Sequence, residues 1–284
     1  MQLNDTTNFK ATALSEATLR TQAPSIYASG PMLSVSKRYT FVPTARIVDG
    51  LRDQNWVPVA VEEQRIRSEA RRGFQKHLIR FRLASQMETL DEWNVELVMV
   101  NSHDGGSVYQ LHAGIFRRIC YNGLVLSDGE FEGLRFRHAG LEPDEVVQAS
   151  FRLIELMPRI GQLVQSFRER LLEPQESLAL AEHALLLRYP TLAEAPIGPD
   201  TLLQARRRED EGTNLWATTN RIQESLLRGG VSDDRRDRRG KLRSMRALRG
   251  IDSKVSVNKG LWSLAERVAK GEPLGSSETI TLQN

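Results

Sequence analysis

Residues 235–250 read RRDRRGKLRSMRALRG, and this run of arginines is the part of the chain with the clearest chemical meaning. A guanidinium group can bind two phosphate oxygens at once, so a dense arginine run is typical of a surface that contacts a polyanion. The segment from Arg228 to Lys259 has eleven Lys or Arg and four Asp, a net charge of +7, whereas the whole chain carries +3. The positive charge is therefore concentrated in one segment.

A second basic stretch, residues 65–82, has seven Lys or Arg interleaved with Phe74 and Phe81. This mixture is typical of a groove for single-stranded nucleic acid, in which bases stack on aromatic rings. The alternative is a solvated sheet face whose aromatic side chains point into the core. A solvated loop is likewise the alternative for the arginine run, but residues 238–249 contain no acid, which favours a polyanion-binding loop. The residues predicted to contact nucleic acid are Arg72, Lys76, Arg80, Arg82, Arg228, Arg235, Arg236, Arg238, Arg239, Lys241, Arg243, Arg246 and Arg249.

Catalytic chemistry has weaker support in the sequence. His103, Asp104 and His112 could together ligate a metal ion, as in a metal-dependent nuclease, and His138 lies in the same region. Their spacing does not match a motif such as HExxH, and Asp104 in HDGG suits a turn. Cys120 suits a small buried residue of a strand, and the chain has neither GxxxxGK[ST] nor GxGxxG. We expect no catalytic residue, no metal site and no cofactor.

The composition is that of an ordinary globular protein, with 40% apolar and 26% charged residues among 284. The sequence has no run of about 18 consecutive apolar residues, so it predicts no membrane span, and its N-terminus lacks the apolar core of a secretory signal. The single cysteine cannot form an internal disulfide, which fits a reducing compartment. We therefore expect a cytoplasmic protein that has no membrane partner.

Period-two alternation of apolar and polar residues predicts an antiparallel meander in the first half of the chain. Before it, Thr44 is the expected N-cap of a short helix, and Pro58 suits an edge strand. Asn122-Gly123 predicts a hairpin turn. The predicted strands are WVPVAVEEQRI, KHLIRFRLA, WNVELVMVN, SVYQLHAGIFRRICY and LRFRH.

Helical periodicity begins near residue 141, so the sequence predicts an α+β fold in which an antiparallel sheet meander is followed by a helical C-terminal half. Pro158 should kink or split the first long helix, and KLRSMRALRG is expected to be helical. The predicted organisation is a mobile N-terminal arm (1–30), a sheet region with a short helix (31–140), a helical region with a basic loop at 228–250 (141–270) and a frayed tail (271–284).

Several segments together resemble the family catalogued as domain of unknown function 932. They are RYTFVPT, GFQKHLIRFRL, NSHDGGSVYQLHAGIFRRICYNGLVL, TTNRIQESLLRGG and NKGLWSLAERVA, and the resemblance spans about residues 24–270. Its most specific piece is a Cys-x-Asn-Gly hairpin, which here is Cys120, Tyr121, Asn122 and Gly123. The resemblance implies a phage, plasmid or other mobile-element setting, and it implies no catalytic residues.

These observations favour a non-enzymatic accessory protein of a mobile element that binds or anneals single-stranded DNA in recombination or DNA maintenance. The order of sheet and helices is similar in outline to that of single-strand annealing proteins, which form rings, so a homo-oligomer is expected. The alternative from another class is a protein-binding inhibitor of a host restriction or immune system. In that case the arginines would contact an acidic host protein.

Overall fold

A computed structural model describes residues 12–88, 92–117, 123–125 and 134–274 of the chain. The predicted turn at Cys120 to Asn122, the beginning of the expected arm and the tail from residue 275 onwards lie outside these ranges. The chain divides into two compact units. Unit 1 comprises Met1–Tyr121 and Gly133–Glu155, and unit 2 comprises Asn122–Glu132 and Leu156–Asn284.

Unit 1 is built on an antiparallel sheet with neighbouring strands in the order β1-β2-β3-β4-β6. Strand β1 lies at the edge, and its pairing shifts between Pro58 and Ala60, which confirms the edge position that the proline predicts. The strands are β1 (Trp56–Glu63), β2 (His77–Leu83), β3 (Trp93–Asn101), β4 (Tyr109–Arg117), β5 (Gly123–Val125, part of unit 2) and β6 (Leu134–Phe136).

The two faces of this sheet differ in chemistry because side chains alternate along each strand. One face carries the fully buried apolar residues Phe81, Leu97 and Leu111, which form the core of unit 1. The opposite face carries Arg80 and Glu96, which the strand register places on neighbouring strands. The core is therefore on one side of the meander and a set of charged side chains is on the other.

The N-terminal segment differs from the mobile arm that the sequence predicts. Helix α1 (Glu16–Gln22) begins at Ser15, whose hydroxyl accepts a hydrogen bond from the backbone N–H of Thr18. Leu19 and Ile26 are fully buried, so residues 16–27 belong to the core of unit 1. The sequence pattern does not reveal this ordered segment, because α1 is too short for a helical period to be recognised and only a few apolar residues anchor it.

Within the described residues six further helices follow, from α2 (Thr44–Asp53) to α7 (Ile251–Ala269), and α3 (Pro143–Glu169) is continuous through Pro158 rather than split. The division between the units falls at residue 155 and not at the expected 140, because the first turns of α3 pack within unit 1. There Val147 lies so close to Gly50 of α2 that a β-carbon on Gly50 would come within 2.8 Å of its side chain. These helices are α2 (Thr44–Asp53), α3 (Pro143–Glu169), α4 (Pro174–Leu186), α5 (Pro199–Leu202), α6 (Leu215–Arg228) and α7 (Ile251–Ala269).

The antiparallel sheet followed by helices confirms the α+β prediction. Within the described residues, no helix combines the length and the hydrophobicity that a membrane span requires.

Candidate functional site

The two arginines predicted on the basic sheet face share one buried carboxylate inside unit 1. Glu96 is fully buried, and its two carboxylate oxygens accept hydrogen bonds from Arg80 Nε at 2.6 Å and from Arg82 Nη2 at 2.6 Å. Arg82 is only 5% exposed. The guanidinium of Arg80 also lies 3.5 Å from the centre of the Phe116 ring, a contact that favours the cation. Both arginines therefore donate hydrogen bonds to a carboxylate within the protein, and Arg80 also contacts an aromatic ring, so these groups are not available to a phosphate chain.

The other two predicted contacts of this stretch have different surroundings. Lys76 is buried, with 8% of its surface exposed. Arg72 is exposed and forms a 2.6 Å ion pair with the equally exposed Glu69. Phe81, which a base-stacking groove would need at its surface, is fully buried in the core. The structure thus corrects the expectation for this face, because alternation along β2 places the ring in the core and strand pairing places a carboxylate between the arginines.

The second predicted segment folds back on itself as a hairpin-shaped loop with an isolated β-bridge between Arg236 and Leu242, and it is not helical. Backbone hydrogen bonds join Met245 N to Val231 O (2.9 Å), Arg243 N to Arg235 O (2.8 Å) and Asp237 N to Lys241 O (2.8 Å). The expected helix in KLRSMRALRG does not form because these amides pair across the hairpin. We call residues 229–249 the basic hairpin, and residues 237–241 form its tip.

Two of the three acidic side chains of the basic hairpin accept hydrogen bonds from backbone N–H groups, and the third, Asp234, is exposed. Asp237 Oδ1 accepts hydrogen bonds from the backbone N–H groups of Arg239 (2.8 Å) and Lys241 (3.0 Å) and so closes the tip. Asp233 accepts from Gly198 N and Arg235 N. Burial raises the pKa of Asp233, but these two N–H groups and the Arg235 charge outweigh it, so its pKa lies below the ordinary value. Both acids therefore order the turn backbone.

Two arginines that the sequence assigns to phosphate binding instead hold the basic hairpin in place. Arg235 Nη1 donates to Leu192 O at 3.1 Å, and Arg243 donates to Ala193 O at 3.3 Å and to Glu194 O. Arg235 also forms an ion pair with Asp233 at 3.7 Å, whereas the oxygens that Arg243 binds are backbone carbonyls, which carry no net charge. These side chains position the hairpin on the loop at residues 192–195.

The remaining cations of the basic hairpin have the properties expected of a contact surface. Arg236 is exposed and donates to Gly240 O within the tip, and Arg228 is bonded to Glu224 at the base. Five further side chains are exposed, and within the described part of the chain they have no hydrogen-bond or ion-pair partner: Arg238, Arg239, Lys241, Arg246 and Arg249.

A second cluster of functional side chains lies in the core of unit 1, around the hydroxyl of Thr44. Thr44 Oγ1 is 3.0 Å from Nε2 of His77 and 3.0 Å from Nε2 of His103. Tyr109 Oη and Asn101 Nδ2 are each 3.1 Å from the same oxygen. Thr44 is the first residue of α2, and its hydroxyl serves this cluster instead of capping the helix as the sequence predicts. All five residues are buried.

Hydrogen counting assigns the ring tautomers in this cluster. His77 Nδ1 lies 2.9 Å from Ser25 Oγ and 3.3 Å from Gln75 O; because a carbonyl only accepts, we assign the hydrogen to Nδ1, and Nε2 then accepts from Thr44. The two lone pairs of Thr44 Oγ1 then accept from Asn101 Nδ2 and from a protonated Nε2 of His103. In this assignment each of the two imidazoles carries one ring hydrogen and is neutral.

Burial lowers the pKa of both imidazoles, because it removes the water that would stabilise the charged form. Loss of hydration lowers the pKa of His77 to about 4. It lowers the pKa of His103 to about 3, with smaller contributions from His77 and His138. His138, which donates to Asn101 Oδ1 at 3.0 Å, also has a pKa below its ordinary value because of burial. The cluster therefore resists protonation while the chain is folded.

Acid should consequently destabilise unit 1. The unfolded chain binds protons at these histidines as the pH falls below about 6.5, whereas folded His77 and His103 remain neutral to about 4 and about 3. The stability that these two neutral imidazoles contribute is thus fully present above the pKa of the unfolded histidines, about 6.5, and is lost as the pH falls below it. The two imidazoles together should lower the free energy of unfolding at pH 5 by roughly 4 kcal/mol relative to pH 7.5. Urea unfolding at pH 7.5 and at pH 5 measures this difference. The variant His103→Gln should show about half of it. A wild-type protein that is equally stable at the two pH values would contradict the prediction.

The three residues of the nuclease alternative do not come together. Asp104 accepts two hydrogen bonds from Arg71 and one from Gly106 N, which is its turn role. His112 follows Tyr109 by three positions on β4, so its side chain lies on the opposite sheet face from the Thr44 cluster. Among the described residues no group of three or more His, Cys, Asp or Glu is arranged to hold a metal ion.

Sequence reasoning missed the Thr44 cluster and two exposed arginines, Arg65 and Arg67. The signal for the Thr44 cluster lies in the family resemblance alone. Three of the segments that carry the resemblance supply Thr44, His77 and His103; they are RYTFVPT, GFQKHLIRFRL and NSHDGG. The two arginines have a local signal, since they precede the alternating part of the stretch and so belong to a loop rather than to a strand.

The comparisons with known proteins agree with the resemblance. The model of the family described as "Domain of unknown function (DUF932)" matches residues 31–262. Two proteins of Escherichia coli (strain K12), UPF0380 protein YafZ and UPF0380 protein YfjQ, are each 35% identical over 243 residues, which cover 86% of this chain and 87% of theirs. No solved structure matches. The chain belongs to the DUF932 family.

Proposed function

We propose that the protein is a nucleic-acid-binding accessory protein that holds the phosphate chain of DNA through the tip of the basic hairpin. The observation that carries this proposal is the tip itself. Arg238, Arg239 and Lys241 are exposed and unpaired among the described residues, while Asp237 is bonded to the turn backbone. The acid of the tip therefore shapes it without occupying the cationic side chains.

The chemistry of the hairpin favours contacts to phosphate over contacts to bases. A guanidinium or ammonium group binds phosphate oxygens of any sequence, and no aromatic residue lies within residues 229–249 to stack on a base. Single-stranded DNA is the ligand we propose, in keeping with a role in binding or annealing strands. A sequence-independent binder with these properties depends strongly on salt, because each phosphate contact releases a counterion.

Fluorescence anisotropy with a labelled 30-nucleotide single strand, repeated over a salt series, tests the proposal. If the five exposed cations of the hairpin each contact a phosphate, the slope of log K against log salt concentration should be about −3.5. Arg238→Gln/Arg239→Gln/Lys241→Gln should reduce that slope by about 2. An unlabelled duplex of the same sequence, added as competitor, measures the preference for single strands.

The matched control is Arg20→Gln/Arg52→Gln/Arg267→Gln, which removes the same net charge from arginines that are each paired with a carboxylate. The control should bind with nearly the wild-type slope. Absence of binding by the wild type at 50 mM salt would overturn the proposal and favour a protein partner. Equal losses in the two triple variants would show that net charge alone, and not the tip, determines affinity.

A further inference from the structure

The connection between β1 and β2 is a second concentration of positive charge, and it belongs to unit 1. Within residues 64–76, four arginines are exposed and a single acid, Glu69, opposes them. We call residues 64–73 the β1–β2 loop. The exposed arginines are Arg65, Arg67, Arg71 and Arg72.

The β1–β2 loop has a fixed backbone. Gln64 N donates to Lys76 O at 2.8 Å and closes its base, and His103 N donates to Phe74 O at 2.9 Å. Arg71 Nε donates to Asp104 Oδ2 at 2.9 Å, and that carboxylate is nearly fully buried. The loop is therefore tied to the turn after β3 by both backbone and side-chain bonds.

The charge of the loop is only partly neutralised. Arg71 is bonded to Asp104, and Arg72 pairs with Glu69 in water, an interaction that contributes little and exchanges readily. Arg65 and Arg67 have no hydrogen-bond or ion-pair partner in the part of the chain that the structure describes. Two guanidinium groups two residues apart thus lie in a loop that is anchored on both sides of them, and their N–H donors are unused.

We propose that the β1–β2 loop is a second phosphate-binding site, in which Arg65 and Arg67 contact the phosphate chain of a nucleic acid. The site is separate from the basic hairpin because it belongs to the other compact unit and contains none of the same residues. The backbone bonds at Gln64 and Phe74 and the Arg71–Asp104 bond hold the loop on both sides of Arg65 and Arg67, which lowers the cost of ordering them on binding. The inference rests on the proposed function for the nature of its ligand.

The experiment compares Arg65→Gln/Arg67→Gln with Arg20→Gln/Arg52→Gln in the full chain, using the same labelled 30-nucleotide strand. Both variants remove two positive charges, but the arginines of the second are paired with Glu16 and Asp49. The loop variant should reduce the salt slope by about 1.4 and weaken binding roughly 10- to 30-fold near 0.1 M salt. Both pairs are at the surface, and circular dichroism melting checks that each variant folds.

The outcomes separate this inference from the proposed function. If the loop variant binds as the Arg20/Arg52 control does while the triple tip variant is weakened, the inference is overturned and the hairpin proposal stands. If the loop variant is weakened and the tip variant is not, the β1–β2 loop is the binding site and the hairpin assignment is wrong. Absence of any wild-type binding overturns both.

Discussion

Glu96→Gln should lower the free energy of unfolding by about 3–5 kcal/mol, the largest loss expected from a change of one functional group in this chain. Glu96 is fully buried and holds both Arg80 and Arg82. The amide keeps the shape of the side chain but removes its charge, so two guanidinium groups remain in a site that water does not reach. Urea unfolding followed by tryptophan fluorescence measures the loss, because Trp56 is buried in the same sheet.

Glu69→Gln is the matched control for this prediction. It removes a carboxylate from Arg72 by the same substitution, but both partners are exposed, so its effect should stay within about 0.5 kcal/mol. The comparison isolates burial from charge. A midpoint of Glu96→Gln that coincides with that of Glu69→Gln would show that Arg80 and Arg82 are solvated after all, and they would then return to the set of candidate phosphate contacts.

Gly229→Ala should destabilise unit 2 by on the order of 3 kcal/mol and should disrupt the basic hairpin. Gly229 ends α6 with φ 60° and ψ −147°, a conformation that is essentially confined to glycine. A β-carbon there would lie 2.4 Å from the Arg246 carbonyl carbon and 2.5 Å from Met245 O. These are backbone atoms of the returning half of the basic hairpin, so no side-chain rotation relieves the clash.

Gly230→Ala provides the control, because Gly230 also has a positive φ of 73° but no atom lies within 4 Å of its added β-carbon. It should cost only about 1 kcal/mol, which is the backbone preference alone. Urea unfolding and single-strand affinity are measured together. If the proposed function is right, Gly229→Ala should weaken binding more than Gly230→Ala does. Equal losses of stability in the two variants would contradict the close packing at the base of the hairpin.

The contrast between the two basic stretches shows how far the sequence can be interpreted. Both contain many arginines at similar density, and both favour polyanion binding by composition. In β2 the arginines alternate with core residues, so strand pairing brings Glu96 of β3 between them. In the hairpin, Asp237 accepts hydrogen bonds from backbone N–H groups two and four residues away, so this acid is used locally and the cations Arg238, Arg239 and Lys241 stay unpaired among the described residues.

Local pattern by itself determined the class of fold, because the two-residue period of strands and the 3.6-residue period of helices are properties of neighbouring residues. It also located the dense basic segment and the segments that carry the family resemblance. Only the tertiary structure decided which cations are free. Arg80 and Arg82 meet Glu96 from 16 and 14 residues away, and Arg243 meets Glu194 from 49 residues away. The same holds for Thr44, which is 33 residues from His77 and 59 from His103. Such pairings depend on strand register and helix packing, which no short sequence window contains.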